Sequence, residues 1–409
     1  MPPSLRFTLD GESVEAQPDD TVAAALLRAR ITTFTRSIKY HRPRGPFCLQ
    51  GSCGQCLLRV DGVPSVPACK VLVAEGMACV RQNAPFGLVE ADLFRAADFL
   101  FPDHLDHHHL MVRSRLLGKV ALEVARRLAG LGELPDRSLP PQPGDVRKVE
   151  LLVVGAGPAG LAAAEQAAAA GAEVLLIEGE PVAGGAARFG LSDADPVLVA
   201  KLLKAAPCEP GAECVGIYPD DSAVPGNALV AVRRGDRLTA VVAERVIVAA
   251  GGVSQPLPFP GVDRPGVYAA RGLIQLHAEH GVRVGKRLVV AGSGRELTRC
   301  SAVLRAAGYE VLATDKPIAR ALGKPVAAVE IGAERIRCDA VALAHEPAPF
   351  HELATGAGAT ARFDGERNGF VVEADAGGRT AQPWLYVAGR VAGRPALESG
   401  GAAGRAATA

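Results

Sequence analysis

Two periodicities alternate along the chain. Near the N-terminus Leu5 to Leu9 and Ser13 to Ala16 predict strands joined by a turn at Gly11, and Thr21 to Ile31 predicts a helix capped in the Asp19-Asp20 region. Leu57 to Val60 and Met77 to Val80 predict further strands, the first followed by turn chemistry at Asp61-Gly62. Between Pro85 and Lys148 strand character disappears. Leu88 to Leu100 and Arg115 to Leu131 predict helices, and PDRSLPPQPGD is a proline-rich connector that marks a domain boundary. From Val149 onward, apolar runs of buried-strand type alternate with helices. Val149 to Val154 leads into a glycine turn, an alanine-rich helix over Leu161 to Ala170, and a strand ending at Glu178. A second unit of this kind begins at GKRLVVAGSGRELTRCSAVLRAAGYEVLATD. The pattern predicts an α/β multidomain protein.

Composition narrows the setting. The 409 residues are 48% hydrophobic with 46 glycines, enough for two or three packed domains. Lys+Arg 45 against Asp+Glu 44 leaves a formal charge of +1, which gives no global bias toward nucleic acid or an anionic membrane. The N-terminal MPPSLRFTLDGESVEAQ lacks a basic region followed by an apolar one, and the apolar stretch Val22 to Leu27 is too short to span a bilayer. A cytoplasmic protein without membrane insertion is expected. Its nine cysteines comprise one cluster of four and a scatter of Cys79, Cys208, Cys214, Cys300 and Cys338, which suits a reducing compartment with one metal site better than a disulfide framework.

The clustered four, Cys48, Cys53, Cys56 and Cys69, are spaced C-x4-C-x2-C-x12-C. Gly45, Gly51 and Gly54 supply the permissive backbone that so tight a wrap requires. Plant-type iron-sulfur proteins use C-x4-C-x2-C with a distant fourth cysteine, whereas structural zinc more often uses two separated C-x2-C pairs. The spacing therefore favours a [2Fe-2S] cluster over a zinc site or four unliganded thiols, and the strands around it describe a β-grasp ferredoxin-like domain. Cys79 reads as an ordinary buried thiol. In the connector, His104, His107, His108 and His109 read as a solvated or interface loop rather than a metal site, because consecutive residues cannot all face one ion on a helix.

Gly155-x-Gly157-x-x-Gly160 lies between strand and helix, and Glu178 ends the next strand. The first glycine makes the turn and the second admits a pyrophosphate. The third lets helix and strand pack, and the acidic residue accepts a ribose hydroxyl. In the second unit Gly292 and Gly294 fill the first two positions, but Leu297 stands at the third. Asp315 lies at the ribose-discriminating end and would suit NAD rather than NADP, so this site is read as a degraded NAD site, with a packing domain the favoured role.

Two resemblances extend this reading. YHRPRGPFCLQGSCGQCLLRVDG resembles the small iron-sulfur subunits of hydrogen cyanide synthase, opine dehydrogenases and D-hydroxyproline dehydrogenase. It also resembles the N-terminal domain of the α subunit of heterotetrameric sarcosine oxidase, where the cluster cysteines are generally missing. Glu178, Gly184-Gly185, Gly251-Gly252 after RVIVAAGG, and Gly389-Arg390 in PWLYVAGRVAG resemble the FAD-contact segments of pyridine-nucleotide-disulfide-type flavoproteins, although the last segment usually reads G-D. These resemblances imply FAD beside the cluster. They also imply an electron-transfer subunit of a heteromeric dehydrogenase or oxidase for a secondary amine or amino acid (proline, hydroxyproline, sarcosine or opine). Substrate oxidation would lie in a D-amino-acid-oxidase-like flavoprotein β subunit, with further small subunits allowed. The alternatives are a self-sufficient NADH-dependent reductase and a cofactor-poor scaffold.

The expected domains are a β-grasp [2Fe-2S] domain over 1–84 and a helical, proline-rich linker over 85–147. The FAD-binding domain follows over 148–281, a NAD-type Rossmann-like domain over 282–345, and a return to the FAD-binding domain over 346–409. No catalytic acid, base or nucleophile is legible. Arg42 and Arg44 read as a solvated basic loop, with tuning of a cluster or docking of a partner as the sharper alternative.

Overall fold

The computed structural model describes residues 4–37, 42–83, 134–135, 144–220 and 227–409. The helices expected in the linker, and Tyr40, His41 and the four linker histidines, lie outside the described residues. The chain divides into two compact units, Met1–Leu139 with Pro256–His345, and Pro140–Gln255 with Glu346–Ala409.

In the first unit, β1 (Leu5–Leu9), β2 (Glu12–Ala16), β3 (Leu57–Val60), β4 (Val63–Pro67) and β5 (Ala78–Arg81) form a sheet in the order β2-β1-β5-β3-β4. Alternation in β1 turns Phe7 and Leu9 inward, as a half-buried strand requires. Asp61 and Gly62, with φ of 46° and 81°, make the two-residue turn between β3 and β4. Positive φ at both positions is the turn that matches the twist of a hairpin. Helix α1 (Val22–Arg28) buries Val22 to Leu27. Its N-cap is Thr21, whose Oγ1 accepts from the Ala24 N–H at 3.2 Å, not the Asp19-Asp20 region expected from sequence. Asp20 is instead consumed by Arg28, whose Nε and Nη2 donate to it at 3.1 and 2.7 Å.

The second unit is built on a strand that is apolar on both faces. β6 (Asp145–Val154) sends Leu151 and Val153 into a core shared with α2 (Pro158–Ala169), and Val149, Leu152 and Val154 into the opposite core. That two-sided burial explains why its last four residues, Leu151 to Val154, are a continuous apolar run. Its sheet also contains β7 (Val174–Glu178), β8 (Cys208–Pro210), β9 (Glu213–Asp220), β10 (Asn227–Arg234) and β11 (Arg237–Val248), in the order β8-β7-β6-β11-β10-β9. The last residues of β11 pair in parallel with a strand from the far end of the chain, Leu385–Val387.

The first unit also holds a four-stranded parallel sheet and a three-stranded antiparallel one over Ile318–Gly323, Val326–Ile331 and Glu334–Arg337. β12 (Val267–Ala269), followed by α3 (Ala270–His280), lies beside Ala340–Ala344. The latter pairs in turn with β13 (Arg287–Gly292), which leads through α4 (Gly294–Ala306) to β14 (Glu310–Thr314). Val267–Ala269, too short to read as a strand on its own, belongs to the parallel sheet through its pairing with Val341 to Leu343, and the compact unit takes in the chain from Pro256.

Candidate functional site

The four clustered cysteines come together as two pairs. The Cys48 N–H points at Cys53 Sγ at 3.5 Å, and Cys56 Sγ lies 3.5 Å from Cys69 Sγ. All but Cys53 are buried. The hydrogen-bonded Cys53 thiol draws Cys48 down to about 5 against the effect of burial, helped by Ser52 and the Gln50 N–H, and the same contact pushes Cys53 up. Contact with Cys69 likewise lowers Cys56 and raises Cys69. The thiolate is the form that binds metal. Among the described residues no three His, Cys, Asp or Glu side chains converge on one ion. A two-iron cluster needs no such group, because each iron takes two protein ligands, and the pairing Cys48/Cys53 with Cys56/Cys69 suits that donor set. Cys79 lies apart, its thiol pushed up to about 12 by burial and by Asp61 and Asp10.

Arg42 and Arg44, beside this loop, are ion-paired within their own unit. Arg44 Nη1 lies 3.2 Å and Arg42 Nη1 3.8 Å from Asp263 Oδ2. Both charges answer a carboxylate more than two hundred residues away in sequence, while Arg42 keeps 41% of its side chain exposed.

In the second unit the glycine turn forms a cradle. A Cβ at Gly155, φ 98°, would lie 2.6 Å from the Ala249 carbonyl oxygen, and one at Gly160 would lie 1.8 Å from that of Gly155. Strand and helix are therefore held closer than any side chain permits. A Cβ at Gly157 would meet nothing within 4 Å, so the helix N-terminus stays open on the side where a diphosphate would approach. Gly184 and Gly185 close onto this turn. The Gly184 N–H donates to the Ala156 carbonyl at 2.8 Å, and a Cβ at Gly185 would lie 3.2 Å from Gly157 Cα. Glu178 caps the arrangement, its carboxylate accepting from the Ala156 and Glu180 N–H groups at 2.8 and 2.9 Å. Gly251 follows β11 with φ 73°, where no neighbour lies within 4 Å of its Cβ position. Gly389 has φ 65°, and its N–H donates to Ser399 Oγ at 2.9 Å. Arg390 is not a free cation, because its Nη1 pairs with Glu346 and donates to the Pro347 carbonyl.

Sequence reasoning missed the helix-on-helix contact that locks this cradle. In α5 (Ala396–Thr408), Gly400 and Gly404 lie against α2, where Cβ atoms would stand 2.1 and 2.4 Å from the carbonyl oxygens of Ala159 and Ala163. The four-residue spacing of glycines in GGAAGRAATA was the available signal.

The other nucleotide-type turn, in the first unit, differs. A Cβ at Gly292 would lie 1.9 Å from the Ala344 carbonyl, Gly294 has φ 57°, and Asp315 is exposed just beyond β14. Leu297 is half-buried, and the residue before it, Glu296, is buried against Arg271. His345 Nδ1 lies 3.5 Å from Ser293 Oγ, and burial lowers the pKa of the ring. His351 packs on Phe370 with centroids 5.4 Å apart, as expected of a loop-packing residue.

Residues 3–84 match the 2Fe-2S iron-sulfur cluster binding domain family, and residues 149–337 match the pyridine nucleotide-disulphide oxidoreductase family. Fold and matches together place a 2Fe-2S iron-sulfur cluster binding domain ahead of a pyridine nucleotide-disulphide oxidoreductase fold, the setting of a [2Fe-2S] cluster and FAD. More particularly, the chain is a relative of sarcosine oxidase alpha subunits. It is 29% identical over 344 residues to that of Rhizobium meliloti (strain 1021), covering 76% of this chain and 34% of the relative. To that of Corynebacterium sp. (strain P-1) it is 28% identical over 353 residues, covering 81% and 32%. Hydrogen cyanide synthase subunit HcnB of Pseudomonas protegens (strain DSM 19095 / LMG 27888 / CFBP 6595 / CHA0) is 34% identical over 188 residues, 42% of this chain and 39% of that protein. The chain thus spans about a third of the length of the sarcosine oxidase relatives. Its fold is shared with L-proline dehydrogenase from P. horikoshii, with a TM-score of 0.73, 21% identity, and coverage of 95% of this chain and 69% of that one. No helix among the described residues is long and apolar enough to cross a membrane.

Proposed function

We propose that the chain is the electron-transfer subunit of a cytoplasmic, heteromeric dehydrogenase or oxidase acting on a secondary amine or amino acid of the proline, hydroxyproline, sarcosine or opine type. Substrate is oxidised in a partner, a D-amino-acid-oxidase-like flavoprotein β subunit, with further small subunits allowed in the complex. The observation that carries this reading is the presence, on one chain, of two cysteine pairs and a glycine cradle of FAD type.

In this reading Cys48, Cys53, Cys56 and Cys69 hold the cluster as thiolates. Gly155, Gly157 and Gly160 present the N-terminus of α2 to the diphosphate, and Glu178 accepts the ribose hydroxyls while its own N–H contacts hold the turn in shape. Gly184, Gly185, Gly251 and Gly389 keep backbone close to the cofactor without side chains. Arg390, its charge answered by Glu346, shapes this wall and adds no free positive charge. When bound, FAD supplies two-electron redox chemistry and the cluster one-electron traffic. Gly292, Gly294 and Asp315 form a nucleotide turn of NAD type that packs the first unit. Leu297 at the third glycine position and the acidic side chain of Glu296 in the first turn of α4 both disfavour a pyrophosphate.

The test is to add each candidate amine, anaerobically, to the purified chain and to the chain with its partner. Flavin and cluster bleach only in the complex if the reading holds, and amine-driven bleaching of the single chain overturns it. Rapid bleaching of the single chain by NADH would instead make it a self-sufficient reductase.

A further inference from the structure

The loop that carries the first cysteine is set into the four-stranded parallel sheet and helix α3 of its own unit. Phe47 and Cys48 are buried in one apolar core with Val267 and Ala269 of β12 and Val289 and Ala291 of β13. The Ala269 N–H donates to the Phe47 carbonyl at 2.9 Å. A Cβ at Gly272, in the first turn of α3, would lie 2.2 Å from the Cys48 carbonyl oxygen, so the helix is bare where the loop crosses it. Three residues on, Gln275 Oε1 accepts from Gln50 Nε2 at 3.2 Å, while its own Nε2 donates to Glu279 Oε2 at 3.0 Å. Gly272, Gln275 and Glu279 share one face of α3 by their spacing. The Gln50 main-chain N–H in turn donates to Cys48 Sγ at 3.4 Å.

We propose that α3 is the seat of the cluster, with Gly272 and Gln275 as positioning residues. Gly272 fixes where the Cys48 backbone lies. Gln275 holds Gln50 so that its N–H points at the Cys48 sulfur. Hydrogen bonds to ligand sulfurs and the solvent exclusion around them set a cluster's potential, so a domain that has kept a nucleotide fold acts here on the iron-sulfur centre. This inference rests on the assignment of Cys48 as a cluster ligand.

The test uses the full chain with its cofactors and reads iron content, flavin content, the EPR spectrum of the reduced cluster and its midpoint potential. Gln275→Leu keeps its iron and flavin but shifts the EPR spectrum and the midpoint. Gly272→Ala loses most of its iron while flavin content, carried by the other unit, stays at the wild-type level. If Gly272→Ala fails to fold, Gln275→Leu decides alone. Wild-type EPR spectrum and midpoint in Gln275→Leu, with full iron in any folded Gly272→Ala, overturn the seat while leaving the cluster assignment standing. A wild-type protein without a cluster spectrum overturns the assignment and the seat with it.

Discussion

Arg271 of α3 and Glu296 of α4 form a two-point, largely buried ion pair. Arg271 Nε and Nη2 donate to the two carboxylate oxygens of Glu296 at 2.5 and 2.8 Å, and the side chains are 11% and 3% exposed. The Cys300 thiol adds a third contact to the same carboxylate at 3.3 Å. The pair ties the first turn of the seating helix to the first turn of the helix after the degraded glycine motif. Removing Arg271 leaves the Glu296 side chain, 3% exposed, without its cation. Arg271→Ala should therefore cost about 3 kcal/mol, read as a loss of thermal and urea stability of the cofactor-free protein. A loss no larger than that of an exposed pair such as Arg320–Glu330 would show that water reaches the site.

The two inner glycines of the FAD cradle should separate stability from affinity. Gly160→Ala forces a Cβ into the Gly155 carbonyl and should destabilise even the cofactor-free chain, by about 2 kcal/mol on the scale of overpacked cores. Gly157→Ala meets no protein atom, so its unfolding should match the wild type while bound flavin falls several-fold. Equal flavin binding by Gly157→Ala and wild type would remove this turn from the diphosphate site.

Asp339 gives the protein an acid-side liability. Hydrogen bonds from the Arg287 N–H, and then from the Lys286 N–H, hold its carboxyl below the ordinary range even though burial opposes them. A depressed folded-state pKa stabilises above the unfolded value of about 4, and that stabilisation is lost as pH falls through the lower folded value. Asp339→Asn should therefore be less stable than wild type by about 1 kcal/mol at neutral pH, discounted for partial exposure, with the gap closing as pH falls through the lowered folded-state value. A gap independent of pH would place the effect in packing.

Much of this was written locally. The alternation in Leu5–Leu9, the C-x4-C-x2-C run and the strand-glycine-helix order around Gly155 each depend on residues close in sequence, and periodicity or spacing exposes them. What escaped notice depends on distance along the chain. Thr21 displaces Asp20 as helix cap because Asp20 is engaged by Arg28. Val267–Ala269 is a strand only because Ala340–Ala344 lies beside it. Arg44 finds Asp263, and Arg390 finds Glu346, through folding alone. Gly272 looks like any helical glycine until the Cys48 carbonyl arrives against it.

The central claim, a chain that couples two-electron and one-electron traffic, is tested most directly by anaerobic reductive titration of the isolated holoprotein. Uptake should reach about three electrons per chain, two into flavin and one into the cluster, and fall to about two in Cys48→Ser or Cys56→Ser. An uptake of two electrons in the wild type, unchanged by those substitutions, would contradict it.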